Sequence, residues 1–412
     1  MIDLNKVREN LEEYKRVCKL KWKNIDVDYI LELDTSRKAM QAEIDNLKFQ
    51  QKELASKQDY EWAKALKSQI QEKEENYKSN LEKLDSFLFN MPQFIRDDVV
   101  EWKDESENPV LEKYWEIPNF SFEPKDHIEL MEKYDMIDFA RWAKVSGARS
   151  YYLKNDGLLL ERALFQFAMD KMVQKYWFTP MGVPHIVDVR SFVWAGFFPG
   201  GEEDAYHLEK DDKWLIATAE NSLISYHTDE ILDFSELPKK YTALSPAYRR
   251  EAGSYWKDTK WCYRVHQFNK IEQIIICKAD IDESNSWHQK ILNISLEILS
   301  DLWLPHQVVW ICTWDLGSGK YVQHDVECRM PSRNAYWETH SVSSLLDFQS
   351  RRLGIRYRDE DWTIKYVYTL NNTVLASPRI LIPIIENYQT EDGKIKIPEV
   401  LKKYMNDREY IE

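Results

Sequence analysis

Glycine is scarce in this chain: 11 residues of 412, fewer than the 16 tryptophans. Ordinary usage is roughly 7%. Glycine is the default residue wherever the backbone needs a positive φ, so a large chain with many turns has few unstrained places to make them. Cysteine is sparse too. The five present (Cys18, Cys262, Cys277, Cys312, Cys328) form no CxxC and no zinc-ligand spacing, which predicts reduced thiols in a cytoplasmic setting. No apolar run reaches the roughly 18 residues of a membrane span. The start "MIDLNKVRENLEEYKR" carries charges where a secretory signal needs its apolar stretch, so no membrane partner is expected. A Walker-type glycine loop and a GxGxxG are both missing. Basic excess is missing as well. The net charge of −14 argues against a general polyanion binder, although it does not exclude a local basic face. Residues 1 to 100 hold 18 Lys+Arg against 20 Asp+Glu, a balance of −2, which leaves −12 for residues 101 to 412.

What is present begins with helix. From Val27 to Asn90, apolar residues recur at three- and four-residue steps: Leu33, Met40, Ile44, Leu47 and Leu54, then Leu66, Ile70, Tyr77, Leu81, Leu84 and Leu88. This predicts two long helices with a turn in "ASKQDYE" (55 to 61), the second ended by Pro92. Two antiparallel helices of that length would project about 45 Å. The pattern alone also fits two packed helices of an ordinary bundle. Residues 97 to 112 are polar and read as a linker, placed at 101–112. Helical stretches follow at Asp126 to Arg141 and Leu158 to Tyr176, then strand-like runs "KWLIATAE", "IEQIIICK", "HQVVWICT" and "KYVYTL". Their irregular spacing predicts an α+β domain, an antiparallel or mixed sheet with helices around it.

The chemistry concentrates in "YRREAGSYWKDTKWCYRVHQFNKIEQ", residues 248 to 273. Arg249 and Glu251 lie two apart and would share a face on a strand. A guanidinium suits a phosphate because its fork donates two parallel hydrogen bonds. Phe268, returning on a paired strand, could form a platform for a base. A surface hairpin with ordinary ion pairs fits the same residues.

Further segments weigh against that plainer reading. The order R-x-E-A-G-S, D-T, R-V-H-Q-F-x-K-x-E resembles motif 2 of a class II aminoacyl-tRNA synthetase, of the seryl-tRNA synthetase family. "KVSGARSYYLKNDG" (144 to 157) resembles the entry to that family's catalytic domain, and "WFTPMGVPHIV" (177 to 187) its motif 1, part of a dimer interface. "TAE" (218 to 220) resembles the serine-ammonium site, residues 321 to 352 the metal and ATP strand, and residues 369 to 401 motif 3 and the C-terminus. The resemblance covers nearly the whole chain.

It implies a class II catalytic domain, an antiparallel sheet flanked by helices, at 113–412, with motif 3 at 369–388. It also implies a tRNA-gripping antiparallel coiled-coil arm at 1–100. Arg249 would bind the α-phosphate of ATP and, with Arg379, serve catalysis. ATP would be held by Arg249, Arg250, Glu251, Phe268, Glu338, Thr339, His340, Ser341 and Arg379, with Phe268 and Arg379 on either side of adenine. Mg²⁺ would sit on Glu338 and Ser341, because a hard cation takes oxygen ligands. L-serine would lie among Thr218, Ala219, Glu220, Glu272 and Thr373. Two carboxylates exceed what one ammonium needs, so one can accept from the substrate hydroxyl and reject alanine. The implied enzyme is a cytoplasmic homodimer that activates serine and charges tRNA(Ser), and tRNA(Sec) where one exists. The alternative is a synthetase-like paralogue without aminoacylation, either a carrier-protein aminoacylase or a tRNA-binding protein.

Departures from the family are few apart from tryptophan. Thr373 stands for a family Ser, Gln307 for an Arg and His324 for a Tyr. The resemblance implies glycine at Trp102, Trp142, Trp177, Trp194, Trp256, Trp261, Trp303 and Trp314, and Trp22, Trp115, Trp337 and Trp362 also look like glycine positions. Gly and Trp together make 27 of 412, close to ordinary glycine usage. The expectation is a gene that uses UGA for glycine, written out with UGA as tryptophan; a truly tryptophan-rich, inactivated paralogue is the rival. The protein as written is expected to misfold or to lack adenylation activity.

Overall fold

A computed structural model of the chain describes residues 1–56, 60–101, 107–252 and 263–412. Trp102, Trp256, Trp261 and Cys262 lie outside the described residues, as does most of the loop expected to cradle phosphates. The chain divides into two compact units, Met1–Phe94 and Ile95–Glu412.

The first unit is helical: α1 (Leu4–Glu9), α2 (Leu11–Leu20), α3 (Val27–Ser56) and α4 (Tyr60–Leu88). Asp3 caps α1 by accepting from the Asn5 N–H, which satisfies an orphan donor of the first turn. The predicted pair of long helices is present, with 30 and 29 residues. Its core holds Val7, Tyr14, Ile30, Leu33 and Leu84. The Tyr14 hydroxyl donates to the Pro92 carbonyl at 2.7 Å, fixing the chain after α4. Buried Asp34 takes salt bridges from Arg8, Arg37 and Lys38.

The second unit is built on an eight-stranded sheet. Its strands in chain order are β1 (Val110–Tyr114), β2 (Thr179–Pro180), β3 (Lys239–Tyr248), β4 (Gln267–Cys277), β5 (His306–Trp310), β6 (Val322–Met330), β7 (Ala335–Leu346) and β8 (Tyr368–Ser377). The spatial order is β1-β5-β6-β7-β8-β4-β3-β2, with only β2 and β3 parallel. The expected α+β class with an antiparallel-rich sheet is what the chain forms. Strand β1 begins at Val110, so the polar stretch read as a linker runs into the sheet edge.

Helices α5 (His127–Lys133), α6 (Phe139–Ser146), α7 (Asn155–Asp170), α8 (Val189–Ala195), α9 (Glu220–Ile224), α10 (Ile281–Asp301), α11 (Phe348–Leu353) and α12 (Leu381–Asn387) surround the sheet. The single helix expected over 126–141 is two, because Asp135 turns the backbone to φ 50° and Ile137 bridges to Leu153. "KWLIATAE" is a strand only over Lys213–Leu215, after which Glu220 opens α9. Helix α10 lies across one sheet face, where Gln273 and Asn372 donate to its Ile291 carbonyl. Ile271, Ile275, Val342 and Leu370 join it in the main core. The opposite face of the same central strands is left for the site.

The backbone bears on the tryptophans directly. Among the described residues, fifteen non-glycine residues have positive φ, and five of them are Trp22, Trp115, Trp177, Trp303 and Trp362. Seven others are Asn or Asp, which tolerate this region. Trp303 follows α10 in a left-handed cap. Its N–H donates to Ser300 O at 2.9 Å, and Leu304 N–H donates to Leu299 O at 3.1 Å. The pattern repeats after α2, where Trp22 N–H donates to Lys19 O at 3.1 Å and Lys23 N–H to Cys18 O at 2.8 Å. That paired bonding is the helix end that glycine favours, and Gly147, Gly196 and Gly354 end α6, α8 and α11.

Candidate active site

Strand alternation builds the floor of the site. On β4, Phe268, Lys270 and Glu272 point to one face at steps of two, and Thr373 on β8 registers with Glu272. On β6 and β7, Asp325 registers with Ser341, and Glu327 with Glu338. These strands line a cavity of about 510 Å³.

Eleven of the residues singled out from the sequence line this one cavity: Thr218, Glu220, Arg249, Glu251, Phe268, Glu272, Glu338, Thr339, Ser341, Thr373 and Arg379. Three do not. Ala219 is fully buried beneath it in the core beside α9. Arg250 turns away to stack its guanidinium 5.2 Å from the Tyr206 ring. His340 points to the other side of β7, where burial pushes its ring down to about 3 and Thr339 Oγ1 lies 2.8 Å from Nδ1. The strand parity expected for Arg249 and Glu251 does not apply, since β3 ends at Tyr248 and Glu251 has φ 53°. A turn, not a strand, brings both to the cavity.

At one end are two buried carboxylates. Glu272 accepts from Thr218 Oγ1 at 3.1 Å and forms an ion pair with Lys270. Glu220 accepts from the Gln349 amide at 2.7 Å. Gln349 also donates to Ala195 O at 3.0 Å and accepts from Thr369 Oγ1 at 2.8 Å, which fixes the amide's orientation. Burial pushes the Glu272 carboxyl up and the Lys270 ammonium down, each opposed by the other's charge.

Beside them, Arg249 donates to Ala217 O at 3.2 Å, and its guanidinium lies 5.2 Å from the Phe268 ring centre. Burial and the neighbouring Arg379 lower its proton affinity. Glu251 pairs with Arg264 at 3.2 Å. Arg379 pairs with Glu338 at 3.2 Å and covers the Tyr263 ring at 4.2 Å. Gln323 donates to Asp325 at 2.8 Å and to Ser341 Oγ at 3.0 Å. Burial, then the nearby Glu338, pushes the Asp325 carboxyl up to about 7.

The cavity therefore joins an anionic pocket at one end to two arginines and an aromatic face, an arrangement suited to an ammonium beside a phosphate and a base. Sequence reasoning missed Lys270, Asp325 and Gln349. The two-residue step from Phe268 to Glu272 could have found Lys270. Nothing local marks Gln349, which reaches Glu220 across 129 positions.

Comparison with known proteins agrees with this geometry. The family described as "Seryl-tRNA synthetase N-terminal domain" matches residues 1–95. "tRNA synthetase class II core domain (G, H, P, S and T)" matches residues 205–388. The chain is 38% identical to the serine–tRNA ligase of Deinococcus radiodurans, over 100% of this chain and 99% of that one. It is 40% identical to the same enzyme of Dictyoglomus turgidum, over 98% of each. The seryl-tRNA synthetase of Pyrococcus horikoshii, crystallised with ATP, superposes with a TM-score of 0.92 at 34% identity, covering 100% of this chain and 99% of that one.

Proposed function

The chain belongs to the seryl-tRNA synthetase family, and on that premise we propose that it activates L-serine with ATP and transfers the seryl group to tRNA(Ser). The observation that carries this reading is the pair of buried carboxylates, Glu220 and Glu272, in one cavity with Arg249 and Phe268. Glu220 and Glu272 take the serine ammonium and hydroxyl, with Thr218 and Thr373 completing the pocket. The serine carboxylate oxygen attacks the α-phosphorus of ATP, an acyl–phosphate bond forms, and pyrophosphate leaves with the electrons of the broken P–O bond. Arg249 stabilises the charge that develops on the α-phosphate. Phe268 and Arg379 hold adenine between them. Glu251 holds the ATP end of the complex, and Thr339 lies along it.

A divalent cation fits the far end. Glu338 and Ser341 offer hard oxygen donors, and Asp325 lies in register with Ser341. Among the described residues no three His, Cys, Asp or Glu side chains cluster as a metal site, so substrate oxygens would complete the shell. When bound, Mg²⁺ supplies positive charge against the phosphate oxygens.

The two long helices are assigned to tRNA contact, and the 177–187 segment, with its exposed Ile186, to a homodimer interface. tRNA(Sec) would be a second acceptor where one exists. No helix among the described residues is long and apolar enough to cross a membrane; work in the cytoplasm belongs to the proposed reading. The test is ATP–pyrophosphate exchange by the protein purified from the cells that encode it. Serine should support exchange at least ~100-fold better than alanine or threonine, since a buried acceptor left unpaired is strongly discriminating. Exchange without preference for serine would defeat the reading.

A further inference from the structure

A pocket whose task is to receive an ammonium contains an ammonium of its own. Lys270 lines the cavity, its side chain is 7% exposed, and it is ion-paired with Glu272, itself 2% exposed. Buried lysine is rare unless paired, and burying this pair costs several kcal/mol of desolvation per ion before attraction returns it. Binding an amine alone would be served better by leaving Glu272 free. The charge count of the inner pocket offers an account. Glu220 and Glu272 carry two negative charges, and Lys270 and Arg249 carry two positive ones, with Lys270 under the influence of all three others. The sum is zero. A ligand with an ammonium and a carboxylate also sums to zero, whereas an amine without a carboxylate does not.

Resting on the serine-activation reading, we infer that Lys270 is a specificity-determining residue: its charge balances the two pocket carboxylates so that an amino acid is admitted in preference to the corresponding amine. Lys270 thereby lowers the electrostatic cost of bringing the substrate carboxylate past Glu220 and Glu272 to the phosphate. Glu272, already neutralised by Lys270, is left as a hydrogen-bond acceptor. Glu220, whose side-chain donor is the neutral Gln349 amide, keeps its full charge for the ammonium.

Ethanolamine is serine without its carboxylate, so the ratio of the ethanolamine inhibition constant to the serine KM in ATP–pyrophosphate exchange isolates this effect. Lys270→Met should lower that ratio on the order of tenfold or more, because a unit charge at a few ångströms in a partly desolvated site is worth that much. The ATP KM should change far less. Lys270→Arg should keep the ratio near the wild-type value. Lys270→Met combined with Glu272→Gln, which removes both buried charges and restores a zero sum, should return the ratio toward wild type even where the single variant folds poorly. If serine and ethanolamine weaken in parallel in Lys270→Met, or if the double variant stays as unselective as the single one, Lys270 is merely structural and the inference fails. Absence of serine-dependent exchange in the wild type would instead overturn the underlying reading of the site.

Discussion

At the scale of single residues, the tryptophans are the anomaly, and the backbone separates them into two groups. Trp62, Trp214, Trp287 and Trp310 were not suspected from the sequence, and none has a positive φ. Of the nine suspected positions within the described residues, Trp22, Trp115, Trp177, Trp303 and Trp362 do, whereas Trp142, Trp194, Trp314 and Trp337 do not. All five are exposed, from 45% at Trp115 to 76% at Trp362, so their size is not repaid by burial. We propose that glycine occupies these places in the protein the cell makes, encoded by UGA. The physical consequence is measurable in the chain as written. Trp22→Gly should raise the unfolding free energy by about 1 kcal/mol, since a left-handed L-residue costs roughly 1–2 kcal/mol and Trp22 is 71% exposed. Trp310→Gly, in β5 and half-buried, should lower stability by about 3 kcal/mol. Thermal melts of both variants decide; equal losses would remove the backbone argument. A UGG codon at position 22, or a peptide mass from the native cells that carries tryptophan there, would end the recoding proposal. The composition alone made the deficit legible, but only φ shows which tryptophans pay for it.

At the scale of elements, what the sequence made legible followed period. The two helices over Val27–Ser56 and Tyr60–Leu88 repeat at 3.6 residues, the strand ending in "IEQIIIC" is marked by its β-branched apolar run, and both appear. The three-residue edge pieces and the break at Asp135 carry no such signal, because a turn is set by one backbone angle. The site was legible where the motifs lie and illegible where support comes from afar. Gln349, on α11, anchors Glu220 on α9 through one amide. Gln349→Met keeps the volume but removes the donor. It should raise the serine KM roughly tenfold or more, as a hydrogen bond to a charged group is worth about 1.5–3 kcal/mol, while the ATP KM holds. Equal rises in both would point to collapse of α11 instead. The joint between α10 and β6 behaves differently. His288 Nε2 meets His324 Nδ1 at 2.7 Å in the core, and burial, then Arg96, pushes His324 down to about 4. The folded ring stays neutral, so below the ordinary pKa of about 6.5 the unfolded chain binds the extra proton. This contribution is fully present above pH 6.5 and is lost as pH falls toward 4. His324→Gln should therefore lose about 3 kcal/mol less stability than wild type between pH 7 and pH 4, by denaturant titration at each pH.

At the scale of the whole molecule, we propose that the two compact units divide the labour. The first has its own core around Tyr14, Ile30 and Leu84, which no side chain of the cavity enters; every lining residue lies between Ala195 and Arg379. On this proposal, adenylate formation needs only that cavity. Transfer needs the acceptor RNA held, and a net charge of −14 offers no general attraction for a polyanion. The first hundred residues carry only −2 of it, so repulsion is least there, and the paired helices present their lysines, such as Lys48 and Lys73, in half-exposed salt bridges. RNA phosphates can compete for such lysines, because exposed ion pairs are worth little, about 0–1 kcal/mol. A chain begun at Ile95 should therefore keep serine-dependent pyrophosphate exchange within about threefold of wild type while its charging of tRNA(Ser) falls by at least ~100-fold, since that loss corresponds to a few phosphate contacts. Charging by the full chain should also fall steeply with added salt while exchange does not. If removal of residues 1–94 abolished exchange as well, the two units would be one functional body and the division argued from their separate cores would be wrong.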